Sequence, residues 1–117
     1  MSRRRINDAE GDLLGGTLDM LILQTLRLAP ANGFTIARTI KRRSDAVLLV
    51  EEGSLYPALH RLEKRGWIAS SWGISENKRR ARFYRLTPKG RRSLIDETGR
   101  WERLVRAVGR VIGFAEG

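Results

Sequence analysis

The sequence predicts a mainly α fold with one small β-hairpin, an α+β arrangement that closes on a long helix. Three observations predict it. Apolar residues recur at helical spacing in three short stretches, 17–29, 34–44 and 54–65. Two strand-like runs, WIASSWG (67–73) and RFYRLT (82–87), bracket a polar linker. A Thr-Pro pair at 87–88 then opens a final amphipathic stretch that reaches 113.

The first 14 residues read as a flexible arm, in which SRRR could touch a phosphate backbone. Gly15-Gly16 breaks the chain, and Thr17 is placed to cap the first helix. In TLDMLILQTLRLA, Leu18, Leu21, Ile22, Thr25, Leu26 and Ala29 share one face, while Met20, Leu23 and Leu28 are apolar on other sides. A helix apolar nearly all round must be covered on more than one face, which points to a partner subunit. PANG (30–33) reads as a turn. The second helix, 34–44, turns Phe34, Ile36, Ala37 and Ile40 inward and Arg38, Lys41 and Arg42 outward. VLLV (47–50) is long enough for a short strand.

In GSLYPALHRLEKRGWI (53–68), Ser54 is a candidate N-cap, which makes Pro57 the third helical residue. Leu55, Leu59 and Leu62 stand at i, i+4 and i+7 and form a buried stripe. At about 100° per residue, Pro57, His60, Arg61 and Lys64 point the other way, with Ser54 and Tyr56 flanking. Gly66 ends this helix in the left-handed conformation. The hairpin follows, its tip being the basic linker ISENKRRA (74–81). Tyr84 and Leu86 share one face, Phe83 and Arg85 the other. In the last helix Leu94, Thr98, Trp101, Val105, Val108 and Ile112 are spaced 4, 3, 4, 3 and 4 residues apart, an a/d stripe interrupted only by Thr98.

Charge is segregated along this order. The chain of 117 residues carries 23 basic and 13 acidic groups, a net +10. Residues 36–92 hold 15 basic and five acidic groups, so the whole excess lies there. The concentration marks a surface for an anionic partner. Cysteine is absent, which excludes disulfides and thiolate metal sites. His60 is the one histidine, too few for a His-based zinc site, and no partner is placed near it for nucleophilic catalysis. With no phosphate-binding glycine loop and no acidic cluster beyond Glu51-Glu52, an enzyme is not expected, and no cofactor is implied. No apolar run approaches 18 residues and no signal peptide is evident, so a cytoplasmic protein with no membrane partner is expected.

Three helices followed by a hairpin form a winged helix-turn-helix, in which the third helix enters the DNA major groove and the hairpin reaches the adjacent backbone or minor groove. The expected organisation is an arm at 1–14, a winged-helix domain at 15–87 and a C-terminal dimerisation helix at 88–117. Candidate DNA contacts on the third helix are Ser54, Tyr56, Pro57, His60, Arg61 and Lys64, with Arg61 able to pair with guanine O6 and N7. Lys78, Arg79, Arg80 and Arg82 supply the wing's phosphate-neutralising charge. Arg38, Lys41 and Arg42 could reach the backbone from the second helix. A basic RNA- or ribosome-binding accessory protein would use the same charge without a symmetric site.

The chain resembles PadR-family transcriptional regulators over about 13–113. The resemblance rests on GTLDMLILQTL (16–26), GFTIARTI (33–40), EEGSLYPALHRLEKRGWI (51–68) and RFYRLTPKGRRSL (82–94). Asn32-Gly33-Phe34 replaces the His-Gly-Tyr frequent in the family, and Ser54 stands where Thr is common. The resemblance implies a homodimer, usually a repressor, on a two-fold symmetric double-stranded operator. It implies dimerisation through the C-terminal helix, aided by the first, with Leu18, Leu21, Ile22, Leu94, Trp101, Val105, Val108 and Ile112 at the interface. In some members a tryptophan matching Trp101 lines a cavity for planar aromatic molecules, so Trp101 is also a candidate ligand contact for a small-molecule inducer that the residues do not name.

Overall fold

The computed structural model describes the backbone of residues 4–5 and 11–113, and side chains from Gly16 onward. Most of the arm expected at 1–14 lies outside the described residues. Arg4–Arg5 (β1) pairs in parallel with Leu48–Leu49 (β3), which lies inside the predicted VLLV run. The first helix, α1, spans Gly11–Leu26. It begins before Thr17 and carries Gly15 and Gly16 within it, so the glycine pair does not break the chain as expected.

Helix α1 is the centre of the domain. It is covered by α2 (Gly33–Arg43), α3 (Glu52–Lys64), α4 (Pro88–Ile112) and the strand β5 (Arg80–Leu86). The protomer's own elements therefore account for its all-round apolar character. Leu18, Ile22, Leu23 and Leu26 join Ile36 and Ile40 of α2, Leu55, Ala58, Leu59 and Leu62 of α3, and Leu94 of α4 in one core. Burying a side chain of this kind contributes about 1.5–3 kcal/mol, which fixes α3 to the domain through its leucine stripe.

The segment read as the turn PANG contains a further strand. Ala31–Asn32 (β2) pairs antiparallel with Tyr84 and Phe83, giving a three-stranded sheet of order β2-β5-β4, where β4 spans Ile68–Ile74. Asn32 then caps α2, its Oδ1 accepting the Thr35 N–H at 2.9 Å. The first hairpin strand is shifted by one residue and the second begins two residues earlier than predicted. Arg80 therefore lies in β5 with Arg82, and the turn shrinks to Ser75–Arg79, closed by the Ser75 N–H donating to the Arg79 carbonyl at 2.8 Å.

Helix α3 begins at Glu52 with Glu51 as its N-cap residue, so Ser54 lies inside the first turn instead of capping it. Pro57 is accordingly the sixth helical residue. The N–H it lacks is the one that would have bonded the Gly53 carbonyl, and both residues are exposed, where water can meet that carbonyl. The C-terminus is as expected: Gly66 has φ +79°, its N–H donates to the Glu63 carbonyl and that of Trp67 to Leu62, each at 3.0 Å. Thr87 caps α4 by accepting the Gly90 N–H at 3.0 Å and also donates to the Gly66 carbonyl at 2.6 Å. Gly90 itself lies so close to the hairpin that an added Cβ would fall 1.9 Å from the Trp67 carbonyl oxygen. Thr98, the polar interruption in the α4 stripe, satisfies its hydroxyl on the Leu94 carbonyl at 2.9 Å.

Candidate nucleic-acid interface

Because Leu55, Leu59 and Leu62 face the core, Tyr56, Pro57, His60 and Lys64 are left exposed on the opposite side of α3. Ser54 is partly buried at the edge. Arg61 and Arg65 project along the flank nearer α1, and there they meet Asp19. The Arg61 Nη2 lies 3.0 Å from Asp19 Oδ1 and the Arg65 Nη1 3.8 Å from Oδ2. Asp19 is only 9 % exposed, the one charged side chain in the core among the described residues. Burial pushes its carboxyl above the ordinary aspartate value, and the charge and hydrogen bond of Arg61, with Arg65 behind it, pull in the opposite direction. Arg61 is thus a partner of α1 as well as an exposed cation, a role its place in the sequence did not reveal.

The other flank of α3 meets the wing. Glu63 accepts a hydrogen bond from the Ser70 hydroxyl at 2.6 Å, and the Arg82 Nε donates to the same hydroxyl oxygen at 2.9 Å. The Arg82 Nη2 lies 4.0 Å from the Glu63 carboxylate. Arg82 is therefore tied to α3, not free at the hairpin tip. Arg80 packs over the ring of Trp72 at 4.4 Å, with Arg82 at 5.2 Å from the same ring. Lys78 and Arg79 stand exposed at the turn, Lys78 with φ +60°. Glu63, Ser70 and Trp72, the residues that organise the wing cations, were absent from the sequence-based candidates. The period-2 alternation of two paired strands was the signal that could have found Trp72, since it sits directly opposite Arg82.

Arg38, Lys41 and Arg42 are exposed on α2, and Arg38 lies over Phe34 at 5.2 Å. Of the residues expected at a dimer interface, Leu18, Ile22 and Leu94 are buried in the protomer's own core and Leu21 packs against it. Trp101, Val105, Val108 and Ile112 are exposed along α4, joined by Leu104 and Val111. Trp101 also borders a cavity of about 330 Å³ between α1 and α4, together with Met20, Glu97 and Arg100.

A recognition-type helix held by its leucines beside a cationic wing, with a long trailing helix, is a winged-helix arrangement, and comparison with known proteins gives it a family. The family model described as "Transcriptional regulator PadR-like family" matches residues 22–96. The chain belongs to the PadR-like family of transcriptional regulators. Among solved structures, a transcriptional regulator from Clostridium thermocellum is 31 % identical with a TM-score of 0.76, covering 90 % of this chain and 99 % of that one. A PadR-family regulator from Eggerthella lenta is 34 % identical with a TM-score of 0.70, covering 89 % of this chain and 88 % of its own. A transcriptional regulator of Mycobacterium tuberculosis is 42 % identical over 59 residues, half of this chain and 54 % of that protein. The PadR fold supports a DNA-binding regulator. Among the described residues no helix is long and apolar enough to cross a membrane, and no group of side chains is suited to hold a metal ion.

Proposed function

We propose that this PadR protein is a dimeric, sequence-specific repressor that acts in the cytoplasm on a two-fold symmetric operator. Helix α3 lies in the major groove, and the wing rests on the adjacent backbone or minor groove. The observation that carries the reading is one bare surface: Pro57, His60 and Lys64 stand exposed on α3, and Tyr56 beside them lines a single cleft with Arg80 and Arg82 of the wing. Two copies join through the exposed apolar stripe of α4, which has no cover within the protomer. Lys64 and His60 contact base edges, Lys78 and Arg79 neutralise phosphates, and Arg61 contributes from the flank once it leaves Asp19.

Footprinting and gel shift on the DNA upstream of the protein's own gene test this directly. The expected result is a protected two-fold symmetric site bound by two protomers, with affinity falling steeply as salt rises. Equal affinity for scrambled duplex, or for RNA, would refute sequence-specific recognition and favour a general nucleic-acid-binding role.

A further inference from the structure

On one face of the β4–β5 hairpin, Ile68, Ser70, Trp72 and Ile74 stand opposite Leu86, Tyr84, Arg82 and Arg80. At its base this face is buried in the core through Ile68, Tyr84 and Leu86. Towards the tip the same face runs out past the domain and overhangs a cleft of about 460 Å³. The opposite wall is Asn32, Gly33 and Phe34, where the positive end of the α2 dipole lies, and Tyr56 of α3. The Tyr56 hydroxyl presses on Gly33, where an added Cβ would sit 2.7 Å from it. The cleft therefore combines aromatic walls with two guanidinium groups held over Trp72.

Tyr84 lies at its floor. This side chain is only 6 % exposed, yet its hydroxyl makes no hydrogen bond among the described residues. The hydroxyl borders the open cleft, where solvent meets it and no described protein group accepts from it. Burial, with the Glu63 carboxylate nearby, raises its pKa above the ordinary tyrosine value, so the group is a protonated donor at neutral pH. A donor without an acceptor, flanked by guanidinium groups and a helix N-terminus, is chemistry that suits an anionic oxygen. The aromatic walls suit the apolar side of a sugar.

Resting on the DNA-binding reading above, we infer that the cleft between the wing and the start of α2 seats one deoxyribose phosphate of the bound strand, with the Tyr84 hydroxyl donating to the phosphate and Trp72 and Tyr56 packing the sugar. The cleft would then fix where the strand passes from α3 to the wing, one such contact per half-site. Arg80 and Arg82 supply charge from the Trp72 side, and Phe34 closes the outer rim.

The test uses the full chain, fluorescence anisotropy on a labelled duplex, and Tyr84→Phe, which keeps the ring. The expected result is about a tenfold loss of affinity, equal for specific and random duplex, with the thermal midpoint essentially unchanged. Duplexes bearing single neutral methylphosphonate linkages then locate the contact. One position per half-site should weaken the parent protein but have little further effect on Tyr84→Phe. Additive losses at every position would overturn the assignment while leaving DNA binding intact. Failure of the parent to bind any duplex would instead overturn the DNA-binding reading itself. A variant keeping only Trp72, with Trp67 and Trp101 replaced by Phe, reports on free anions through its fluorescence. Saturation by a deoxynucleoside monophosphate, without a coupled methylphosphonate position, would assign the cleft to a free nucleotide and overturn the strand contact.

Discussion

Replacing Arg61 by alanine tests how α3 is held as well as what it reads. In the free protein its guanidinium lies 3.0 Å from Asp19, a carboxylate that is almost wholly enclosed. Removing it leaves Asp19 with Arg65 alone, 3.8 Å away and lacking a hydrogen bond. A hydrogen bond between charged groups is worth about 1.5–3 kcal/mol. The Arg61 side chain is 46 % exposed, so screening reduces the expected loss to about 1–2 kcal/mol. Each kcal/mol corresponds to about 4–8 °C in the midpoint of a domain this size. Thermal and urea unfolding of Arg61→Ala, Asp19→Asn and the double variant form a cycle that isolates the pair. A coupling energy near zero, or an unchanged midpoint for Arg61→Ala, would refute the argument and leave Arg61 as a surface cation only. The same proteins should differ on DNA. Arg61→Ala loses about 1–3 kcal/mol on the specific site and relaxes one base pair per half-site, if the arginine reads a base. Asp19→Asn releases the guanidinium and removes a negative charge near α3, so it should tighten binding to random duplex.

Mild acid should act on the same carboxylate. With its folded pKa above the unfolded value near 3.8, the native state holds more protons in that window, so Asp19's contribution to stability rises as pH falls through the folded pKa. Urea midpoints of parent and Asp19→Asn measured between pH 7 and pH 4 should show the parent gaining on the variant. Gly90→Ala places a methyl group against the Trp67 carbonyl and should cost at least the upper end of the overpacking range of about 1–3 kcal/mol, read as a lowered urea midpoint. Arg79→Ala should weaken specific and random DNA alike and reduce the salt slope by about one unit, measured by anisotropy over a salt series. Val105→Asp with Val108→Asp should convert a dimer to a monomer in analytical ultracentrifugation while leaving far-ultraviolet circular dichroism intact, because both residues are exposed in the protomer.

Much of this architecture is legible in the residues where a local rule governs it. The leucine stripe of α3, the left-handed Gly66 and the Thr87-Pro88 start of α4 follow from helical periodicity and capping chemistry, and the structure has all three. Local rules gave less at the starts of α1 and α3. Gly15-Gly16 and Ser54 carry terminal signals, but each helix begins upstream of them. Strand β2 was hidden because its pairing comes from Tyr84 and Phe83, some 50 residues away in sequence. The Arg61–Asp19 pair spans 42 residues and leaves no trace in spacing. An apolar helix is likewise ambiguous on its own: α1 suggested a partner chain, and within the protomer α2, α3, α4 and β5 already pack on it.

The Glu63–Ser70–Arg82 bridge has a consequence for how tightly a regulator of this size can grip its target. The side chains that join α3 to β4 and β5 lock the two elements proposed to meet DNA at a set angle before any encounter. Less freedom then remains to be surrendered on docking, so contacts made by helix and wing reinforce one another from the first collision. Severing the bridge would leave each half of that grip chemically whole but free to wander.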